Sequence, residues 1–109
     1  MTNYDLLRQK ANDLIVSARE ALDKELTRPE RTRRERDNLN IVFKWDSEGL
    51  TGHLEHLQRM SYPLDDNFNV GPEMLGRFEI SEGYQQVVQA IKRHIQKLTR
   101  YREGRFPVV

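Results

Sequence analysis

Apolar residues near the start of the chain recur at steps of three and four: Tyr4, Leu7, Ala11, Leu14, Ile15, Ala18, Leu22 and Leu26. This spacing places them on one face of a helix over about 4–27, leaving Arg8, Arg19, Asp23 and Lys24 to solvent. Thr2 or Asn3 can cap it, and Asp5 suits its first turn, where backbone N–H groups lack partners. Pro29 ends it, having no N–H and disfavouring α geometry at Arg28.

Pro29 is also a good first residue for a second helix, with Glu30 in its first turn. Residues 30–37 contain no apolar side chain. Leu39, Val42 and Phe43 continue a helical spacing, whereas Ile41, Phe43 and Trp45 alternate as a strand would. Helix is favoured because no second strand is available for pairing. Asp46 or Ser47 can cap a third helix over about 47–61, with Leu50, Leu54, Leu57 and Met60 as its buried stripe and Gly49 and Gly52 weakening it. Residues 62–72 are turn-rich, and Leu64, Phe68 and Val70 are expected to pin them to the core. A short helix over about 73–78 follows. Ser81 then caps a last helix over about 82–103, whose stripe is Tyr84, Val87, Val88, Ile91, Ile95, Leu98 and Tyr101, and Gly104 stops it. The tail 104–109 reads as extended and apolar.

The expected fold is therefore all-α: a small four- to five-helix bundle in one domain over 1–109, with an ordered core of about 4–103. The long first and last helices are expected to pack antiparallel. Their near-heptad stripes also suit pairing with a second copy, so a homodimer is an expected partner state.

Composition narrows the function. The 109 residues hold 18 Lys+Arg and 17 Asp+Glu, for a net charge of +1, and no cysteine. That excludes a disulfide scaffold, a Cys-type zinc site and a Cys nucleophile. No apolar run approaches membrane-span length, so no membrane partner is expected. The chain starts without a signal-peptide pattern, which makes the cytoplasm the expected compartment. The near-neutral total hides an uneven distribution. Residues 1–45 hold ten basic and eight acidic groups, residues 46–82 two and eight, and residues 83–109 six and one. Either the acidic middle neutralises the basic end, or the two form separate faces.

Candidate chemistry is sparse. His53 and His56 stand three apart on a helix, but a third ligand and an HExxH pattern are missing, so no metal is expected. Asp65, Asp66, Asn67 and Asn69 lack calcium-loop spacing, with Val70 where a glycine and Gly76 where a glutamate is needed, and read as a capped turn. No G-x-S-x-G turn, phosphate-binding loop or dinucleotide fingerprint occurs. The expectation is a protein without enzymatic activity or cofactor.

Two binding classes remain. The first is a protein-binding module, such as a small regulator, adaptor or inhibitor, using Arg28, Arg31, Arg33, Arg34 and Arg36 with Phe106 and Val108 of the tail. Within the arginine cluster, Glu30–Arg34 and Arg31–Glu35 have ion-pair spacing on a helix. The second is nucleic-acid binding. Residues 73–93 echo a helix-turn-helix whose second helix would present Gln85 and Gln89 to bases. Lys92, Arg93, Lys97, Arg100, Arg102 and Arg105 would grip phosphates. Glu79 at the tight turn and Gln85 at a buried position depart from that pattern. A sequence pI of about 8.1 is low for a dedicated nucleic-acid domain. The helical pattern with an arginine-rich break resembles small accessory proteins of phages and mobile elements, a resemblance that assigns no residue a role.

Overall fold

The computed structural model describes residues 3–69 and 82–108. Among these the fold is all-α, with three helices: α1 (Asn3–Leu26), α2 (Arg33–Arg59) and α3 (Glu82–Arg102). The expected short helix at 73–78, its junction at Ser81 and the first half of the helix-turn-helix echo lie outside the described residues.

The expected helix count is corrected by α2. The stretches read as two helices on either side of Asp46 form one helix of 27 residues. Asp46 does not cap anything. It faces inward and binds His94, while the Ser47 hydroxyl donates back to the Lys44 carbonyl at 3.2 Å, inside the helix. Residues 41–45 are helical throughout, and the strand alternative fails. The start is also later than Pro29. Thr32 is the N-cap, its hydroxyl accepting from the Glu35 N–H at 3.1 Å. Thr32-Arg33-Arg34-Glu35 is a capping-box pattern, with the polar side chains of its first and last residues 3.2 Å apart. Pro29 and Glu30 lie in the corner between α1 and α2, so the Glu30–Arg34 pair does not form, whereas Arg31–Glu35 does at 3.1 Å.

The helices run up, down and up. Tyr4 on the first turn of α1 donates to the Tyr62 carbonyl, and Tyr84 near the start of α3 donates to the Pro63 carbonyl at 2.5 Å. Both helices thus begin at the loop that follows α2. At the opposite end, Ala21, Lys24 and Glu25 share a groove with Arg102, Gly104 and Phe106. α1 and α3 are therefore parallel, which corrects the expected antiparallel packing. The reason is that one long return helix lies between them where two shorter ones were expected.

The core follows the sequence stripes. Leu7, Ala11, Ala18 and Leu22 of α1 meet Leu39, Phe43, Leu50, Leu54 and Leu57 of α2 and Tyr84, Val88, Ile91, Leu98 and Tyr101 of α3. Met60, expected in the stripe, is exposed because it is the C-cap of α2. The stripes of α1 and α3 considered for pairing with a second copy are covered within one chain.

Two helices end alike. Beyond α2, Ser61 N–H bonds Gln58 O and Tyr62 N–H bonds Leu57 O, both at 3.0 Å. Beyond α3, Gly104 N–H bonds Tyr101 O at 2.9 Å and Arg105 N–H bonds Arg100 O at 2.8 Å. Both are Schellman ends, which require a left-handed residue. Gly104 has φ +78° and Ser61 has φ 58°. The first end feeds the loop 62–69, where the Asp65 carboxylate accepts from the Asn67 and Asn69 N–H groups at 2.8 and 2.9 Å. Leu64 and Phe68 are buried as expected. The second end turns the tail so that Phe106 meets Tyr101 edge-on, ring centres 5.6 Å apart.

Candidate functional site

Asp46 is the single buried charged residue among the described ones, 2 % exposed. It falls in the inner stripe of α2, between Phe43 and Leu50. A buried carboxylate is costly unless its oxygens are hydrogen-bonded. His94 Nδ1 lies 2.8 Å from Oδ1, and Lys97 Nζ lies 3.9 Å from the same oxygen. Oδ2 has no hydrogen-bond partner among the described residues. The Tyr101 hydroxyl is likewise buried and unpartnered. Burial, and then the charge of Asp46, push the Tyr101 phenol up to about 12.

Asp46 and Tyr101 share a cleft of about 310 Å³ between α2, α3 and the tail. Its apolar walls are Val42, Tyr101, Phe106 and Pro107, and Lys97, Arg100 and Arg105 are the cations around it. Arg105 pairs with Glu103, whereas Arg100 makes no ion pair among the described residues. The cleft exists because the Schellman end at Gly104 folds the tail back over α3.

His94 lies behind this wall. Its ring stacks on His53, centres 5.8 Å apart and planes 20° from parallel. Burial lowers the pKa of His53, and the nearby His94, His56 and Arg93 charges lower it further. Among the described residues no group of three or more His, Asp or Glu side chains is placed to hold a metal. The arrangement is an apolar cleft ringed by cations, with a closed-off acceptor on Asp46 and a closed-off hydroxyl on Tyr101 beneath its wall.

The arginine cluster divides. Arg31 bridges Glu25 at 2.9 Å and Glu35 at 3.1 Å, tying α1 to α2. Arg28 lies 3.6 Å from Glu25 and is largely exposed. Arg36 donates to the Arg28 carbonyl at 3.2 Å. Three of the five thus build the corner. Arg33 and Arg34 are exposed and make no ion pair among the described residues. In the tail, Phe106 is half-buried on Tyr101, while Val108 is fully exposed.

The basic residues of α3 also divide. Gln85, Gln89, Arg93, Lys97 and Arg100 are exposed at steps of four, four, four and three, one continuous strip. Lys92 lies on another side, beside Lys10 and Phe68. Arg102 and Arg105 are exposed at the far end. Among described residues of the acidic middle, Asp46 alone is ion-paired to the basic C-terminal segment.

Sequence reasoning missed three things. Asp46 sits at helical spacing inside an apolar stripe, and that position was the available signal. His94 pairs with it across helices, which no local pattern reveals. Ile41 and Trp45 stand off the stripe by 46 % and 66 % exposure, one turn apart on the outer face of α2 and in line with Arg34.

No protein-family model, curated protein or solved structure matches the chain.

Proposed function

We propose that this chain is a non-catalytic protein-binding module, a small regulator, adaptor or inhibitor, that engages its partner through the outer face of α2 and the adjoining cleft. The observation that carries the reading is the exposure of Trp45 beside Ile41. Adjoining large apolar side chains left half or more in water are costly surface, and tryptophan is the residue most enriched at the energetic centres of interfaces. Arg34 extends the same face, with Arg33 beside it, and Val42 and Asp46 lead from it into the cleft. Val108 is a second exposed apolar contact.

The test compares wild type with the Ile41→Ser/Trp45→Ser variant. Both side chains point to solvent, so helicity and melting temperature should stay within the small range of surface changes. A protein retained from native-host extract by immobilised wild type and lost by this variant supports the reading. Equal retention by both overturns it.

The glutamine-and-cation strip of α3 favours a second reading, nucleic-acid binding. Its sign is micromolar anisotropy binding of duplex or single-stranded probes that falls tenfold or more between about 50 and 200 mM salt. Arg93→Ala/Lys97→Ala should then weaken binding for every sequence alike.

A further inference from the structure

We propose that the outer face of α2 binds a second copy of this chain, the two α2 helices lying antiparallel across a two-fold axis between Ile41 and Trp45. The proposal rests on the reading of this face as a protein interface and names the partner it meets.

The order of residues along the face selects the occupant. From the start of α2 it reads Arg34, Ile41, Trp45, Glu48, Gly52 and Glu55, all exposed. At 3.6 residues per turn they fall within about a quarter-turn of the helix. A cation stands at one end, the large apolar pair at the centre and carboxylates at the other end. Such an order is the complement of its own reverse, which is what a two-fold interface requires. About a midpoint at residue 43, Ile41 meets the second copy's Trp45, and Arg34 falls opposite the second copy's Gly52. Glu48 and Glu55 stand one turn to either side of Gly52, so the guanidinium reaches both carboxylates. Arg34, Glu48 and Glu55 make no ion pair within the chain among the described residues. Gly52 also gains a reason. A Cβ there would meet nothing within 4 Å in the single chain, although glycine weakens a helix interior. In the pair it leaves room for the Arg34 side chain to cross. At the rim, Asp37 of one copy comes beside Glu48 of the other, and the exposed Lys44, one turn before Glu48, lies near both carboxylates. A parallel pair would instead set Arg34 on Arg34 and Glu48 on Glu48, which like-charge repulsion disfavours. A different protein would require no such symmetry of this face.

The experiment is sedimentation equilibrium of the full chain from about 10 μM to 1 mM, the affinity range of small transient interfaces. The salt is about 150 mM, where a Debye length of about 8 Å leaves contacts, and not net charge, to decide. The mass of the wild type should rise from 13.0 kDa toward twice that value. Ile41→Ser/Trp45→Ser should weaken association at least about thirtyfold, the scale of a lost interface anchor. Arg34→Glu and Glu48→Arg/Glu55→Arg, tested separately, should each weaken it about tenfold or more, because the two-fold repeats every reversed pair. An equimolar mixture of these two variants should associate as the wild type does, since each reversed charge then meets its opposite. Circular dichroism should show unchanged helix content in all of them, the altered side chains being exposed. A monomer at 1 mM, a dimer indifferent to Ile41→Ser/Trp45→Ser, or a mixture no tighter than its separate components each overturn the proposal. If the chain stays monomeric while Ile41→Ser/Trp45→Ser still loses a protein captured from host extract, self-pairing alone is wrong and another protein covers the face. If it stays monomeric and capture is equal, the protein-binding reading falls with it.

Discussion

A Cβ placed on Gly49 would lie 2.6 Å from Nε2 of His94. The imidazole therefore occupies the room that any side chain at position 49 would need. This explains a glycine in the middle of a long helix, and it fixes the ring from which His94 reaches Asp46. Gly49→Ala should destabilise the protein by about 1–3 kcal/mol through overpacking, against a helix-propensity gain of about 1 kcal/mol. Gly52 has nothing within 4 Å of its would-be Cβ. Gly52→Ala should stabilise by up to about 1 kcal/mol. Urea unfolding of the two variants, opposite in sign, checks the assignment.

Ser61 holds the left-handed position that Gly104 holds at the other Schellman end. For a residue with a Cβ that conformation costs roughly 1–2 kcal/mol. Ser61→Gly should raise stability by about 1 kcal/mol, and Gly104→Ala should lower it by a similar amount. Thermal melts of both variants decide the point.

Two tyrosines set an alkaline limit. Burial is the larger cause in each case, pushing Tyr4 and Tyr101 from 10.0 up to about 12, with Tyr84 adding at the first and Asp46 at the second. The folded state keeps both phenols neutral while the unfolded chain ionises them. Their contribution is complete below pH 10 and is lost as the pH rises from 10 to 12. Tyr101→Phe also removes a buried hydroxyl without a partner, so it should be neutral or stabilising at pH 7 and flatten the alkaline decline. Melting temperature against pH is the measurement.

His53 works at the other end of the scale. Its pKa is lowered in the fold, mainly by burial, so the unfolded chain takes up a proton first as the pH falls. The stability this group contributes is present above about pH 6.5 and declines below it. His53→Gln should reduce the loss of stability between pH 7 and 5. An unchanged slope would show that His53 does not titrate in this way.

The corner between α1 and α2 rests on Thr32 and Arg31. Thr32→Ala should cost about 1 kcal/mol by removing the cap on the Glu35 N–H. Arg31→Met should cost a comparable amount, since it releases both Glu25 and Glu35, and adding Glu25→Gln should cost little more. Chemical denaturation of the three variants tests the coupling.

Helix identity and buried faces were legible because periodicity is a local property. The stripes of α1 and α3 match the core almost residue by residue. The boundary at Asp46 was misread because an aspartate is a good cap and a rare core residue, and only its partner on another helix decides between the two. The true start of α2 was written in the chain as Thr32-Arg33-Arg34-Glu35, but Pro29 offered an earlier and more conspicuous start. The direction of α1 against α3 depended on the boundary at Asp46, since splitting α2 there adds one reversal of the chain. The cleft was illegible for a different reason. It is made by a tail returning over α3, and nothing in Arg105-Phe106-Pro107 alone distinguishes a free tail from a folded one.

Parallel α1 and α3 leave the backbone dipoles of the bundle uncancelled. In an even up-down bundle they pair off, whereas here one helix equivalent remains, positive at the pole of Asn3 and Glu82 and negative at the pole of Leu26 and Arg102. The side chains show no such order. Asp5 pairs with Arg8 and Lys10 reaches the Asp66 carbonyl near the first pole, while Arg28 pairs with Glu25 and Arg105 with Glu103 near the second. Opposite side-chain charges thus meet locally at both ends, and the peptide field is the part of the electrostatics that keeps one direction along the bundle. At contact range individual side chains outweigh it.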